Sequence, residues 1–258
     1  MQPKSILYHS ERGIAWITLN RPDVQNSVNL GMATEIKNVS QRIMADDSIR
    51  VIVLTGTENT FCTGDEYEPS YPKSQDQLQD YLRERRTAGF LGEIEKPIVA
   101  AINGDALGHG LEMALTCDIR IAAKGARLGM TQVSQGNIPW DGGTQRLPRI
   151  IGRSWATDLL LTGRIIDTNE ALNIGLVHQV VPPEQLITRV QELADSIILL
   201  APVATRYAKE AIIKGMDMTL EQGMRLEMDL NLILQTTEDR KEGIDSFLKR
   251  RQPTYKGE

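Results

Sequence analysis

Residues Ala101 to Leu147 read AINGDALGHGLEMALTCDIRIAAKGARLGMTQVSQGNIPWDGGTQRL. The stretch begins inside a buried strand that starts at Pro97 (PIVAAI) and breaks at Asn103-Gly104. After Gly108-His109-Gly110 the pattern turns helical, with a single carboxylate, Glu112, in the first turn. A second turn-rich segment, Met130 to Gly136, follows the strand candidate Ile119 to Ala122. A partner carboxylate could have stood there, and the chain offers Gln132. An amide donates and accepts hydrogen bonds but exchanges no proton near neutral pH.

Outward from this segment, short β-rich runs alternate with helical patterns. Ile14 to Leu19 (IAWITL) and Val51 to Leu54 (VIVL) read as strands; helices are predicted over Leu30 to Met44 and Gln77 to Ile94. Short β-branched strands alternating with helices argue for parallel βαβ units and an α/β fold. Beyond Arg149 helices take over: Trp155 to Leu161, Thr168 to Ile174, Pro183 to Leu199, Pro202 to Lys214 and Leu220 to Thr236, punctuated by Pro182-Pro183, Pro202 and Gly215. The expected division is an α/β core over residues 1–199 and a helical region over residues 200–258. A helical tail of this kind docks its apolar face on its own core or on a neighbouring subunit.

The 258 residues, 41% hydrophobic and 24% charged, suffice for a large core. A net charge of -5 gives no electrostatic case for nucleic acid or an anionic membrane. The two cysteines, Cys62 and Cys117, lack metal-ligand spacing and read as reduced structural thiols. No apolar signal region opens the chain and no run approaches the ~20 apolar residues of a membrane span, so a cytoplasmic protein is expected.

Two glycine turns stand out, Thr60 to Glu66 (TFCTGDE) and Gly104 to Gly110 (GDALGHG). Each follows a predicted parallel strand, at whose carboxyl end ligands bind. The helix opening near Gly108 has free amides and a positive dipole end, so backbone N–H groups from both turns can converge on one carbonyl oxygen as an oxyanion hole. A dinucleotide fingerprint is not completed, because Met113 stands where its last glycine belongs.

Taken together the motifs resemble the crotonase family of enoyl-CoA hydratases and isomerases. They are Asn20-Arg21-Pro22 with Asn26-Ser27-Val28, Phe61-Cys62-Thr63-Gly64-Asp65, Ala106-Leu107-Gly108-His109-Gly110-Leu111-Glu112, Cys117-Asp118-Ile119, Ile138 to Leu147 (IPWDGGTQRL), and Glu242-Gly243 with Phe247, Lys249 and Arg250. The resemblance implies a crotonase-like spiral of ββα units with a helical C-terminal oligomerisation region that builds homotrimers or dimers of trimers. It implies an acyl-CoA substrate and no metal or redox cofactor, since CoA arrives as part of the substrate.

The resemblance places the oxyanion amides on Asp65 and His109, whose ring either shapes the acyl pocket or points away. It assigns CoA contacts to Arg21, Asn26, Ser27, Val28, Gly64, Gly108, Lys249 and Arg250. It makes Glu112 the acid/base and puts Gln132 where hydratases carry a second glutamate. Asp141 is a candidate second acid, with a capping or turn role as the alternative. Water addition to an enoyl- or dienoyl-CoA is the expected reaction. Double-bond isomerisation, decarboxylation and acyl-CoA binding without turnover are the alternatives. The polar loop Asp65, Glu66, Tyr67, Glu68 and Tyr71 is compatible with a diene or cyclic acyl group, with a merely solvent-exposed loop as the alternative.

Overall fold

The computed structural model describes residues 4–66 and 74–258. Its strands are β1 (Ile6–Glu11), β2 (Ile14–Leu19), β3 (Val51–Gly56), β4 (Thr60–Cys62), β5 (Ile98–Ile102), β6 (Asp105–Leu107), β7 (Ile119–Ala123), β8 (Leu128–Gly129), β9 (Ile165–Ile166) and β10 (Gln179–Val181). Its α-helices are α1 (Leu30–Met44), α2 (Gln75–Glu84), α3 (Thr87–Gly92), α4 (His109–Thr116), α5 (Gly143–Thr162), α6 (Thr168–Asn173), α7 (Leu186–Ile198), α8 (Pro202–Gly215), α9 (Leu220–Leu234) and α10 (Glu238–Lys249).

The strands form two sheets, ordered β1-β2-β3-β5-β7-β10 and β4-β6-β8-β9. In the large sheet only β1–β2 is antiparallel. Each long strand β3, β5 and β7 hands the chain to a short strand of the small sheet, β4, β6 and β8, before the next helix. The result is three successive ββα turns stacked on one another.

Alternate residues of the central strands feed two cores, as the period of two requires. Ile52, Leu54 and Ala100 pack with Ile36 of α1, Leu91 of α3 and Leu111 of α4. Val51, Val53, Val99 and Ala101 pack with Leu186, Val190 and Ala194 of α7. The Val51–Leu54 run is buried on both faces for that reason.

Several expected boundaries move. The helix predicted over Gln77 to Ile94 is two helices broken at Arg85 and Arg86, because the amides of Ala88 and Gly89 bond a distant carboxylate. The helix predicted from Trp155 begins at Gly143 and kinks at Gly152, which sits at φ 77°. α10 and the strand β1 lie where no element was predicted, since α10 is dominated by charge and β1 buries only its first residue. Among the described residues, no helix is long and apolar enough to cross a membrane.

Candidate active site

The ladder of the small sheet builds the site. Cys62 pairs with Ala106 and Leu107 with Gly129, all in parallel. The chain therefore leaves β4, β6 and β8 side by side, through Gly64-Asp65, Gly108-His109 and Thr131-Gln132. This corrects the expectation that the glycine turns leave the long strands β3 and β5. A second strand of three residues, too short to show alternation, intervenes in each case.

The three turns meet at Gly108, held at φ 55° and ψ −123°, a conformation open only to glycine without strain. A Cβ there would lie 3.7 Å from the Gly64 Cα and 3.8 Å from the Gln132 carboxamide carbon. His109 is the first residue of α4, so its N–H belongs to the unbonded first turn. A Cβ on Gly64 would lie 3.8 Å from that His109 nitrogen. Val28 bridges Asp65 by donating to the Gly64 carbonyl and accepting from the Glu66 amide, each at 2.8 Å. In such a parallel bridge the Asp65 amide itself faces the other way.

Glu112 lies wholly buried one turn into α4. Its Oε1 accepts the Asp141 and Gly143 amides, both at 2.8 Å, and its Oε2 accepts Gln132 Nε2 at 3.1 Å. Gly143 is required for this approach: a Cβ on it would stand 2.7 Å from Pro139 Cβ and 3.1 Å from Glu112 Cγ. Burial pushes the Glu112 carboxyl above the usual glutamate range, opposed by the His109 charge and the two backbone bonds. With Nε2 spent on Glu112, the Gln132 Oε1 is buried with no partner among the described residues.

The His109 ring points neither to solvent nor away from the turns. It is fully buried, with Nδ1 2.7 Å from Asp65 Oδ1 and Nε2 3.0 Å from Asp141 Oδ2 and 2.8 Å from Thr87 Oγ1. Trp140 packs its ring edge-on at 4.8 Å between centroids. Burial alone would lower the imidazole, but the Asp65 charge and the bonds to Asp141 and Asp65 outweigh it and raise the ring from 6.5 to about 10.

The Asp141 carboxylate is buried and engaged by other groups of the fold. It accepts the Ala88 and Gly89 amides at 2.7 and 3.0 Å as well as the His109 ring. It thus caps α3 across the fold, a stronger form of the capping alternative.

Of the expected CoA contacts, Arg21, Asn26, Ser27, Val28 and Gly64 come together. Arg21 bonds the Ser27 carbonyl and pairs with Glu66 at 2.7 Å. The Asn26 side chain is buried and ties Arg21 to Thr57 and Thr60, so it braces the loop instead of facing a ligand. Lys249 pairs with Asp245, and Arg250 is the left-handed cap of α10. Among the described residues neither bonds to the three turns. Tyr67, Glu68 and Tyr71 of the polar loop lie outside the described residues.

Thr87, outside every motif, and Trp140, Gly143 and Arg146 of the IPWDGGTQRL motif, which had been given no role, join the site; Arg146 bonds the Asp141 carbonyl at 2.8 Å. The Gly142-Gly143 pair was the one local signal for them.

Known proteins share this arrangement of chain. The sequence profile of the enoyl-CoA hydratase/isomerase family matches residues 9–258. The (E)-benzylidenesuccinyl-CoA hydratase of Thauera aromatica is 41% identical over 245 residues, covering 95% of this chain and 96% of that one. The crotonyl-CoA hydratase of Syntrophomonas wolfei is 35% identical over 264 residues, 99% of each chain. The crystal structure of an enoyl-CoA hydratase from Bacillus anthracis superposes with a TM-score of 0.94 at 38% identity, over 98% of this chain and all of that one. The chain belongs to the enoyl-CoA hydratase/isomerase family and has the crotonase-like spiral of ββα units.

Proposed function

We propose that this protein is an acyl-CoA hydratase that adds water to, or removes it from, an enoyl-CoA thioester with one carboxylate as acid and base. The observation that carries this reading is Glu112: buried, held from behind by two backbone amides, and set where the three turns meet. The thioester oxygen sits between the amides of Asp65 and His109. Glu112 takes a proton from water as the water oxygen bonds the β-carbon. The π electrons move onto the thioester oxygen as an enolate, and the amides stabilise it. Protonated Glu112 then returns its proton to the α-carbon.

Gln132 cannot relay a proton, and Asp141 is occupied by His109 and α3. The unpaired Gln132 Oε1 is the acceptor that holds the water. The CoA moiety runs along Arg21, Ser27, Val28, Gly64 and Gly108, and Lys249 and Arg250 reach it from a neighbouring subunit. The same reading makes the protein a cytoplasmic homotrimer or dimer of trimers. The exposed Ile212, Leu220, Met224, Met228 and Leu232 of α8 and α9 support that assembly.

The test is a mass-spectrometric screen of wild-type and Glu112→Gln protein against straight-chain, cyclic, diene and malonyl-type CoA esters. Gain or loss of one water by the wild type, absent in the variant, is expected. Products of unchanged mass or lighter by CO2 would overturn the assignment.

A further inference from the structure

Both ring nitrogens of His109 face carboxylate oxygens, at 2.7 Å on Asp65 and 3.0 Å on Asp141. An ionised carboxylate only accepts, so each nitrogen carries a proton and the ring is an imidazolium. Thr87 Oγ1 shares the Nε2 donor at 2.8 Å, and Trp140 Nε1 reaches Asp65 Oδ2 at 3.4 Å.

All three residues of this chain of charges also lend a backbone amide to the site. Asp65 and His109 supply the amides assigned above to the thioester oxygen. Asp141 supplies one of the amides that hold Glu112, at 2.8 Å. The side chains thus connect three backbone donors that come from three separate loops. The anchoring continues outward, because Asp141 is bonded to Ala88 and Gly89 of α3 and its carbonyl to Arg146.

We propose that His109 is a positioning residue: its ring, clamped between Asp65 and Asp141, fixes the spacing of the two oxyanion amides and sets the charge beside Glu112. The inference rests on the hydratase reading above. A displaced ring would move both amides relative to each other, and an amide withdrawn from its oxygen forfeits stabilisation made only in the transition state. The charged groups facing Glu112 are the His109 ring, Asp141 and Arg146; Gln132 is neutral. Facing the ring are Asp65, Asp141 and Glu112, with Arg86 at 3.9 Å from Asp141.

The experiment compares Asp65→Ala, Asp65→Asn and His109→Gln by steady-state kinetics against pH on the enoyl-CoA that the wild type turns over best, with Glu112→Gln as control. Asp65 is partly exposed, so its variants test the proposal even if the buried His109→Gln does not fold. Asp65→Ala should lower kcat by about tenfold or more with KM within about threefold, since one well-placed donor is worth about 10²–10³ in rate. Asp65→Asn keeps an acceptor for Nδ1–H and should recover most of the loss. In His109→Gln the acidic limb of kcat/KM should move to higher pH, because the cation favouring ionised Glu112 is gone. Folded Asp65→Ala with wild-type kcat, or folded His109→Gln with an unmoved limb, would overturn the proposal while an inactive Glu112→Gln leaves the hydratase reading standing. Wild-type turnover by Glu112→Gln would overturn both.

Discussion

Around the turns that follow β4, β6 and β8, the Glu112 and Asp141 carboxylates, the His109 imidazole and the Gln132 amide are buried and joined by hydrogen bonds. In α8 and α9, Ile212, Leu220, Met224 and Met228 lie exposed among the described residues. The first region is bonded within the one chain: Glu112, His109 and Asp141 find partners on its own loops. The second is tied to the body by a few polar anchors, such as Lys209 to Asp118 and to the Ile94 carbonyl, at 2.9 and 3.0 Å. A buried polar cluster and an exposed apolar face are thereby separated along the chain, so substitutions in the two regions should fail in different ways.

The largest effect belongs to Glu112→Gln. Removing the proton-exchanging group should cost kcat roughly 10³-fold, within the usual span for general acid–base catalysis, while calorimetry finds CoA-ester binding little changed. Next is Gly143→Ala. Its Cβ must displace Pro139 or push the amide off Glu112, and overpacking of this kind costs about 1–3 kcal/mol. A denaturant midpoint equal to wild type with kcat intact would show that the amide contact is dispensable.

The pH dependence of stability is a smaller effect with a definite sign. The His109 ring rises from 6.5 to about 10 on folding, so its stabilisation is fully present below pH 6.5 and is lost as pH climbs toward about 10. The melting temperature of the wild type should fall faster over that window than that of His109→Gln; parallel curves would sink the charged-ring assignment. Smallest for the protomer is Leu232→Glu on the exposed face, where surface changes stay within about 0.5 kcal/mol. Light scattering should nonetheless report a smaller particle. An unchanged mass would erase the contrast between the regions.

The long strands were legible because β3, β5 and β7 are buried runs, and α1 because its apolar residues recur at helical spacing. β4 and β6 were not, since three residues carry no readable period. For the site, Glu112, Gln132 and the glycine turns could be marked from type and order. The bond of Asp141 to Ala88 and the approach of Gly143 to Glu112 could not. Residue pairs 53 and 31 positions apart leave no local pattern. The role of the His109 ring was unreadable for the same reason: it depends on two carboxylates from other turns.

The small sheet works as a rack with three slots, each filled by one repeat of the spiral. Because β4, β6 and β8 are held by backbone pairing, each slot keeps its place in the ladder, while the side chains that follow, Asp65, His109 and Gln132, lean on groups from other slots. The slot after β8 holds Gln132, whose environment already accommodates a side chain of glutamate's shape. Exchanging that one amide for a carboxylate would keep the shape of the slot and take away the Nε2 donor now spent on Glu112.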